Sequence, residues 1–248
     1  MAHLAPLERI EYGDGPHRYA ELTRPEGRSR GVVAVIHGGF WKAAYDCSLG
    51  RSLAADLAAR GWTAWNLEYR RVGNGGGAPH TLDDVAAGLD ALRTVDDLDL
   101  STVVTLGHSA GGHLATWAAS RLRFDRWAGG VPVTAVVSQA GVLDLRSAYD
   151  DRLGGGAVEA FLGHAPTDQD DPADPLRQVP LDVPVWCVHG RADDIVPPSQ
   201  SRAYVAAAGA AGATAELVEV DGDHFAVIDP ATDAWLRIVG ILDALPRV

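Results

Sequence analysis

The pentapeptide Gly107-His108-Ser109-Ala110-Gly111 constrains this chain more than any other feature. It follows a β-branched apolar run, Thr102-Val103-Val104-Thr105-Leu106, and precedes a stretch with helical periodicity from His113 to Leu122. A serine between two glycines at a strand-to-helix turn is held in a strained backbone conformation that exposes its hydroxyl above a sheet. The flanking glycines are needed because a Cβ at either position would collide with the neighbouring strand or helix. The pentapeptide also arises by chance, so the strand before it and the helix after it carry the inference.

The rest of the chain supplies the sheet that such a turn needs. Residues 8–12 and 17–23 flank the turn signal Gly13-Asp14-Gly15-Pro16 and predict a short hairpin. Strands are expected at Val32 to Ile36, Thr63 to Tyr69, Thr102 to Leu106, Val133 to Ser138, Val185 to His189 and Ala215 to Val220. Between them, helical spacing covers Ser48 to Arg60, stopping at Gly61, and Thr81 to Val95, with Thr81 as N-cap and Asp84 three residues on. Further helices are expected at Ala110–Leu122, Ser199–Ala208 and Thr232–Leu245. Alternation of this kind predicts one α/β domain over residues 1–248, with a mostly parallel central sheet covered by helices on both faces. From about 142 to 182 the alternation breaks. That stretch holds Gly154-Gly155-Gly156 and an Asp- and Pro-rich run, and only Val158 to Leu162 reads as a short helix. It is expected to form a small cap over the carboxyl ends of the strands, where open α/β sheets bind ligands.

A serine hydroxyl needs a base to take its proton. Beyond its own helix the histidines downstream of Ser109 are His164, His189 and His224. His224 sits in a turn-rich loop just after the last apolar strand, at the rim where the serine opens, and is the expected base. His189 ends a strand ahead of Gly190 and reads as a packed histidine. His164 falls in the expected cap. The acid should follow the strand ending at His189, where Asp193 and Asp194 are adjacent. The stretch resembles the pattern H-G-x-x-D-x-x-V-P that recurs in α/β-hydrolases, and that resemblance favours Asp193 and leaves Asp194 as a solvated loop carboxylate or an N-cap. The oxyanion formed during acyl transfer needs donors aimed at it. One is expected from the N–H of Ala110. The others should come from the loop after Val32 to Ile36, His37-Gly38-Gly39-Phe40-Trp41, with Gly39 and Phe40 donating and Gly38 permitting the turn. His37 reads as a structural hydrogen-bonder. Trp41 and Tyr45 are candidate pocket walls, and His108 is expected to pack beside the serine.

Composition narrows the alternatives. The net charge of −12 and the absence of a Lys/Arg cluster argue against a nucleic-acid partner. The first six residues lack a basic region followed by an apolar stretch, and no window approaches the ~18 apolar residues of a membrane span, so a soluble cytoplasmic protein is expected. Two cysteines in 248 residues do not make a disulfide framework; Cys187 reads as a buried thiol, and Cys47 as a thiol near the mouth of the site. Gly73-Asn74-Gly75-Gly76-Gly77-Ala78 satisfies G-x-G-x-x-[GA], but Arg70-Arg71-Val72 separate it from the strand before, and Ala78-Pro79-His80 separate its glycines from the helix after. It therefore reads as a flexible loop beside the cap, not as a dinucleotide site. His108 and His113 lie five apart across the turn, without metal-ligand spacing. Neither a metal nor a cofactor is expected.

These residues together resemble the α/β-hydrolase superfamily, and within it the kynurenine formamidases (arylformamidases) and their esterase relatives. The loop His37 to Trp41 is similar to their H-G-G-x-W signature. Gly107 to Leu114, Glu68-Tyr69-Arg70, Ala140 to Leu145, Gln200-Ser201 and Asp223-His224-Phe225 also match, while the acid loop Asp193 to Pro197 is more like that of dienelactone hydrolases and general carboxylesterases. The resemblance implies a serine hydrolase acting on a small-molecule ester or amide. Ser109 would attack the acyl carbonyl, His224 would be general base and Asp193 would orient His224. Gly38, Gly39, Phe40 and Ala110 would form the oxyanion site. Acyl transfer, cyclisation or thioester cleavage would use the same residues. A non-hydrolytic binding protein on the same fold is a separate possibility. A homodimer is left open.

Overall fold

The computed structural model describes residues 7–246. The first six residues, on which the reading of the N-terminus rests, lie outside them. The chain forms an eight-stranded sheet: β1 (Glu8–Glu11), β2 (Tyr19–Thr23), β3 (Val32–Ile36), β4 (Thr63–Leu67), β5 (Val103–His108), β6 (Ala135–Gln139), β7 (Val185–Gly190) and β8 (Ala215–Val220). Their spatial order is β1-β2-β4-β3-β5-β6-β7-β8. The β1–β2 hairpin adds at one edge through antiparallel pairing of β2 with β4, and every pair from β4 to β8 is parallel. Crossovers of right length for parallel pairing come from the helices, which is why the alternation in the sequence reads as this architecture.

The helices are α1 (Arg51–Ala59), α2 (His80–Asp90), α3 (Ala110–Ser120), α4 (Leu145–Asp150), α5 (Leu153–Leu162), α6 (Ser199–Ala210) and α7 (Asp233–Ala244). Alternate residues of the central strand β3 feed two separate cores. Val32, Ala34 and Ile36 pack with Leu82, Val85, Leu114 and Trp117 from α2 and α3. Val33 and Val35 pack with Leu53 and Leu57 of α1 and Trp235 and Ile238 of α7. A strand covered on both faces must be apolar throughout, as Val-Val-Ala-Val-Ile is. Each such aliphatic side chain contributes about 1.5–3 kcal/mol by leaving water.

Three expectations change. Thr81 is not an N-cap: it lies inside the first turn of α2, where its hydroxyl donates to the Arg70 carbonyl at 2.6 Å and accepts from Gly77 N–H at 3.0 Å. Asp84 is buried beneath Arg70, which it binds through both oxygens, and so is unavailable for a capping box. The Ser48 to Arg60 helix begins as a 3₁₀ turn over Cys47–Gly50, capped by the Asp46 carboxylate.

Residues 142–182 contain more order than one short helix. Asp144 caps α4 through Arg146 N–H and Ser147 N–H; α5 follows, broken at Gly154, Gly155 and Gly156, which all have positive φ; and two 3₁₀ segments span Asp168–Ala173 and Pro175–Gln178. Val142, Leu143, Leu145, Val158, Phe161 and Leu181 are buried in the core on the α2–α3 side of the sheet. The segment is tied down by Gln200, whose Oε1 accepts from the N–H groups of Leu143 and Asp144. It is also held by Asp174, whose carboxylate accepts from Leu145 and Leu176. The glycine-rich loop beside it is bonded to α5 through Ala78 N–H and the Phe161 carbonyl at 2.7 Å.

Candidate active site

Ser109 sits between the end of β5 and the start of α3 with φ 57° and ψ −121°. This is a region that non-glycine residues enter only under constraint. The constraint is close packing on both sides. A Cβ on Gly107 would lie 2.0 Å from the Gly111 carbonyl oxygen in α3, and a Cβ on Gly111 would lie 2.0 Å from the Ile36 carbonyl oxygen in β3. The Ser109 N–H is bonded to the Gln139 carbonyl of the adjacent strand at 2.8 Å. The turn is therefore clamped from β3, β6 and its own helix.

The loops after β7 and β8 bring His224 and Asp193 together. His224 Nδ1 lies 2.7 Å from Asp193 Oδ2, and both side chains are buried. The other carboxylate oxygen, Oδ1, accepts from Ile195 N–H and Val196 N–H, each at 2.9 Å. Burial alone would raise the Asp193 carboxyl, but hydrogen bonds from His189, His224 and Val196 N–H outweigh it and hold the group far below the ordinary carboxylate range. Asp194, the neighbouring candidate, is exposed. Ser109 and His224 line one pocket of about 150 Å³. Their side chains do not hydrogen-bond directly; catalytic contacts of this kind tighten on the way to the transition state.

The 37–41 loop, where oxyanion donors were expected, has its own support. Gly38 lies against the serine turn; a Cβ there would meet His108 O at 2.7 Å and Ser109 Cβ at 2.9 Å. His37 donates from Nδ1 to the Gly38 carbonyl at 2.8 Å and accepts at Nε2 from Arg71 at 3.1 Å. It is neutral in this arrangement; burial, and then the Arg71 charge, push its pKa down to about 3. Arg71 is in turn paired with Glu68, also buried. Phe40 and Trp41 both have positive φ, 51° and 54°. Among the described residues, the N–H groups of Gly39, Phe40 and Ala110 make no hydrogen bond, as donors reserved for a ligand oxygen would require.

Trp41 is not a pocket wall. Positive φ at Phe40 and Trp41 turns its side chain inward, where it is fully buried, stacks on Phe161 at 4.7 Å and donates from Nε1 to His113 Nδ1 at 3.2 Å. The hydrophobic cost of exposing an indole outweighs any gain at a small pocket. Tyr45 does line the pocket, as do Phe40 and His108. His108 donates from Nε2 to the His224 carbonyl at 2.9 Å, so it fastens the loop of the expected base. Burial and the neighbouring His224 lower its pKa to about 3. The remaining walls are Leu49, Ile195, Phe225 and Ile228, which sequence reading did not single out. Two of them were within reach: Ile195 lies two residues after Asp193 and Phe225 directly follows His224. No residue of 142–182 lines the pocket; the segment reaches it through Gly154, which rests on the outer face of the Phe40 ring.

His113 bonds the Ala173 carbonyl at 2.8 Å as well as Trp41, and His164 is exposed. Cys47 and Cys187 are buried, and burial pushes both thiols up to about 12, far from thiolate reactivity. Among the described residues no group of three His, Cys, Asp or Glu side chains could hold a metal ion, and no helix is long and apolar enough to cross a membrane.

A mostly parallel eight-stranded sheet with a strained serine at the β5–α3 turn defines the α/β-hydrolase class. Within that class the chain belongs to the BD-FAE family, which it matches over residues 21–207. Esterase LipQ of Mycobacterium tuberculosis is 28% identical over 277 residues, covering 96% of this chain and 65% of that protein. The probable carboxylic ester hydrolase LipM of the same organism is 27% identical, covering 82% of this chain and 51% of that protein. The chain thus spans between half and two thirds of the length of these curated relatives. Among solved structures, esterase B from Lactobacillus rhamnosis superposes with a TM-score of 0.82 at 23% identity, covering 96% of this chain and 84% of that one. A truncated carbohydrate esterase from gut microbiota gives 0.79 at 20% identity, covering 97% and 96%.

Proposed function

We propose that this chain is a serine hydrolase that cleaves small, uncharged carboxylic esters through an acyl-enzyme. The observation that carries this reading is the 2.7 Å contact between His224 Nδ1 and Asp193 Oδ2 at the rim of the pocket that holds the strained Ser109. The names of its relatives, an esterase and a probable carboxylic ester hydrolase, support the same chemistry.

In this mechanism Ser109 Oγ attacks the acyl carbonyl while His224 Nε2 takes its proton. Asp193 holds His224 in the Nδ1–H tautomer and stabilises the imidazolium that forms. The N–H groups of Ala110, Gly39 and Phe40 receive the tetrahedral oxyanion. His224 then protonates the leaving alcohol, and water, deprotonated by the same imidazole, releases the acid. The walls support a neutral apolar acyl group, since no Asp, Glu, Lys or Arg lines the pocket among the described residues. Aryl formamides remain the second substrate class, on the resemblance of the His37 to Trp41 loop to that of kynurenine formamidases. N-formylkynurenine itself, an amino acid, would bring its charged ends to walls that offer no opposite charge.

The test is labelling by a fluorophosphonate together with turnover of p-nitrophenyl acetate, p-nitrophenyl butyrate and N-formylkynurenine, with Ser109→Ala as blank. Labelling of Ser109 and hydrolysis of the esters well above the formamide are expected. A folded protein whose Ser109 resists the probe would overturn the hydrolase reading. Formamide turnover above ester turnover would replace the ester substrate with the formamide.

A further inference from the structure

His189 was expected to be a packed histidine, and its contacts say more. It is fully buried at the end of β7, four residues before Asp193. Its Nε2 lies 2.9 Å from the Val196 carbonyl and 3.1 Å from Asp193 Oδ2, the same oxygen that receives His224 Nδ1. Its Nδ1 lies 2.8 Å from Ser201 Oγ in α6. A carbonyl can only accept, so Nε2 carries the proton, and Nδ1 accepts from the Ser201 hydroxyl. One carboxylate oxygen thus faces two imidazole N–H groups, while the other faces two backbone N–H groups.

We infer that His189 is a positioning residue for the Asp193–His224 pair, itself oriented by Ser201, and that it sets how much of the Asp193 charge is available to His224. The inference rests on the triad reading above. Its physical content is twofold. The Nε2–H of His189 keeps Oδ2 from swinging away from His224, and it competes for the electron density that stabilises the His224 imidazolium. The titratable groups that face this cluster are His224, whose ring lies 4.5 Å from that of His108; His108 itself, already bonded to the His224 carbonyl; Glu219 on β8, paired in register with His189 and already bound to Arg202; and Cys187 on β7, within hydrogen-bond reach of Ser201. His108 approaches the base from the β5 side and does not touch Asp193 by any hydrogen bond among the described residues. His189 is the imidazole placed to act on the carboxylate.

Removing the donor should therefore do two things at once. Catalysis should slow because the acid is less well aimed, and the pH below which the base is protonated should rise because the carboxylate charge is no longer shared. Loss of packing alone would do neither in that combination.

The experiment compares wild type, His189→Gln, His189→Leu and Ser201→Ala using p-nitrophenyl acetate, with kcat, KM, the acid limb of the pH–rate profile and Tm measured for each. Gln places an amide N–H near the position of Nε2, whereas Leu supplies none. A fall in kcat of about 10-fold or more for His189→Leu, KM within about 2-fold, and an upward shift of the acid limb support the proposal, provided His189→Gln recovers most of the rate. Ser201→Ala should move the acid limb in the same direction with a smaller loss. If His189→Leu does not fold, His189→Gln and Ser201→Ala decide. An unchanged acid limb in Ser201→Ala, or rates in Gln and Leu variants that fall together with Tm, overturn the inference. Ser109→Ala separates the two levels: if it keeps activity, the triad reading has failed; if it is inactive and the His189 variants behave as wild type, only the positioning role has failed.

Discussion

The hydroxyl of Tyr69 donates to the carbonyl of His37 at 2.7 Å, and the two rings stack with centroids 4.4 Å apart. Tyr69 follows β4, and His37 follows β3, so the bond ties two adjacent strand ends across the root of the oxyanion loop. Tyr69→Phe keeps the stack and removes the bond, leaving a buried carbonyl without its donor. Such a change costs roughly 1–3 kcal/mol. The variant is expected to lose that much stability in urea titrations and to lower kcat toward p-nitrophenyl acetate several-fold with little change in KM.

Asp193 and Asp194 are chemically identical neighbours in opposite environments. Asp193→Asn preserves the size of the side chain but replaces a carboxylate that accepts from His224 with an amide that can present the wrong tautomer. A loss on the order of 10⁴ in kcat is the precedent for this substitution in serine proteases. Asp194→Asn, on an exposed side chain, is expected to stay within about 2-fold of wild type. Steady-state kinetics on both variants would show the acid misassigned if the ranking came out reversed.

Acid should destabilise this fold well before ordinary carboxylates titrate. His37, His108 and His113 are buried, and burial lowers their pKa values to about 3, 3 and 4. The unfolded chain takes up protons at these three sites near pH 6.5. Their contribution to stability is therefore complete above that pH and declines as pH falls toward their folded values, by at most about 1.4 kcal/mol per group per pH unit. Asp174 and Glu68 oppose this. Burial, and then Asp144, raise Asp174 to about 6, so its contribution is present below about pH 4 and is lost as pH rises through 6. Burial raises Glu68 in the same direction. Three groups outweigh two, and urea midpoints are expected to fall steadily from pH 7 to pH 4. A flat profile over that range would contradict the neutral state assigned to the histidines.

Gly154 has φ +59°, and a Cβ there would come within 2.6 Å of the Phe40 ring. Lys42 Nζ lies 5.8 Å from the centroid of the same ring and donates to the Gly154 carbonyl at 2.7 Å. Gly154→Ala is expected to displace the ring, to alter the ratio of acetate to butyrate ester turnover, and to cost roughly 1 kcal/mol for the left-handed backbone. Gly155→Ala, with no atom within 4 Å of its Cβ, should carry the backbone cost without the change in preference.

The serine turn, the meeting of Asp193 with His224, and the sheet were legible because each depends on local patterns: a Gly-x-Ser-x-Gly between strand and helix, and β-branched runs spaced by helices. Trp41 was misread because adjacency in sequence does not tell which way a positive φ will send a side chain. The α4 helix was missed although Asp144 two and three residues before Arg146 and Ser147 is a usable cap signal; it is too short for periodicity to register. Thr81 looked like a cap because Asp84 stands three residues on, and only the tertiary partner Arg70 shows where that carboxylate goes. The second imidazole on Asp193 was hidden for the same reason. The spacing from His189 is four, but the turn at Gly190 is what folds the pair together.

The inward anchor at Trp41 separates two tasks that a single loop often has to share. The indole fixes the backbone course of residues 37–41 from inside the core, between His113 and Phe161. The side chains that line the pocket come from elsewhere: Phe40 and Tyr45 from one loop, Ile195 from a second, Phe225 and Ile228 from a third. Tyr45 and Phe225 are about half exposed, at 45% and 54%, and support no part of the core. Selectivity is thus modular in this scaffold. Mouth residues can be exchanged combinatorially while the anchor, and with it the course of the 37–41 backbone, is inherited unchanged.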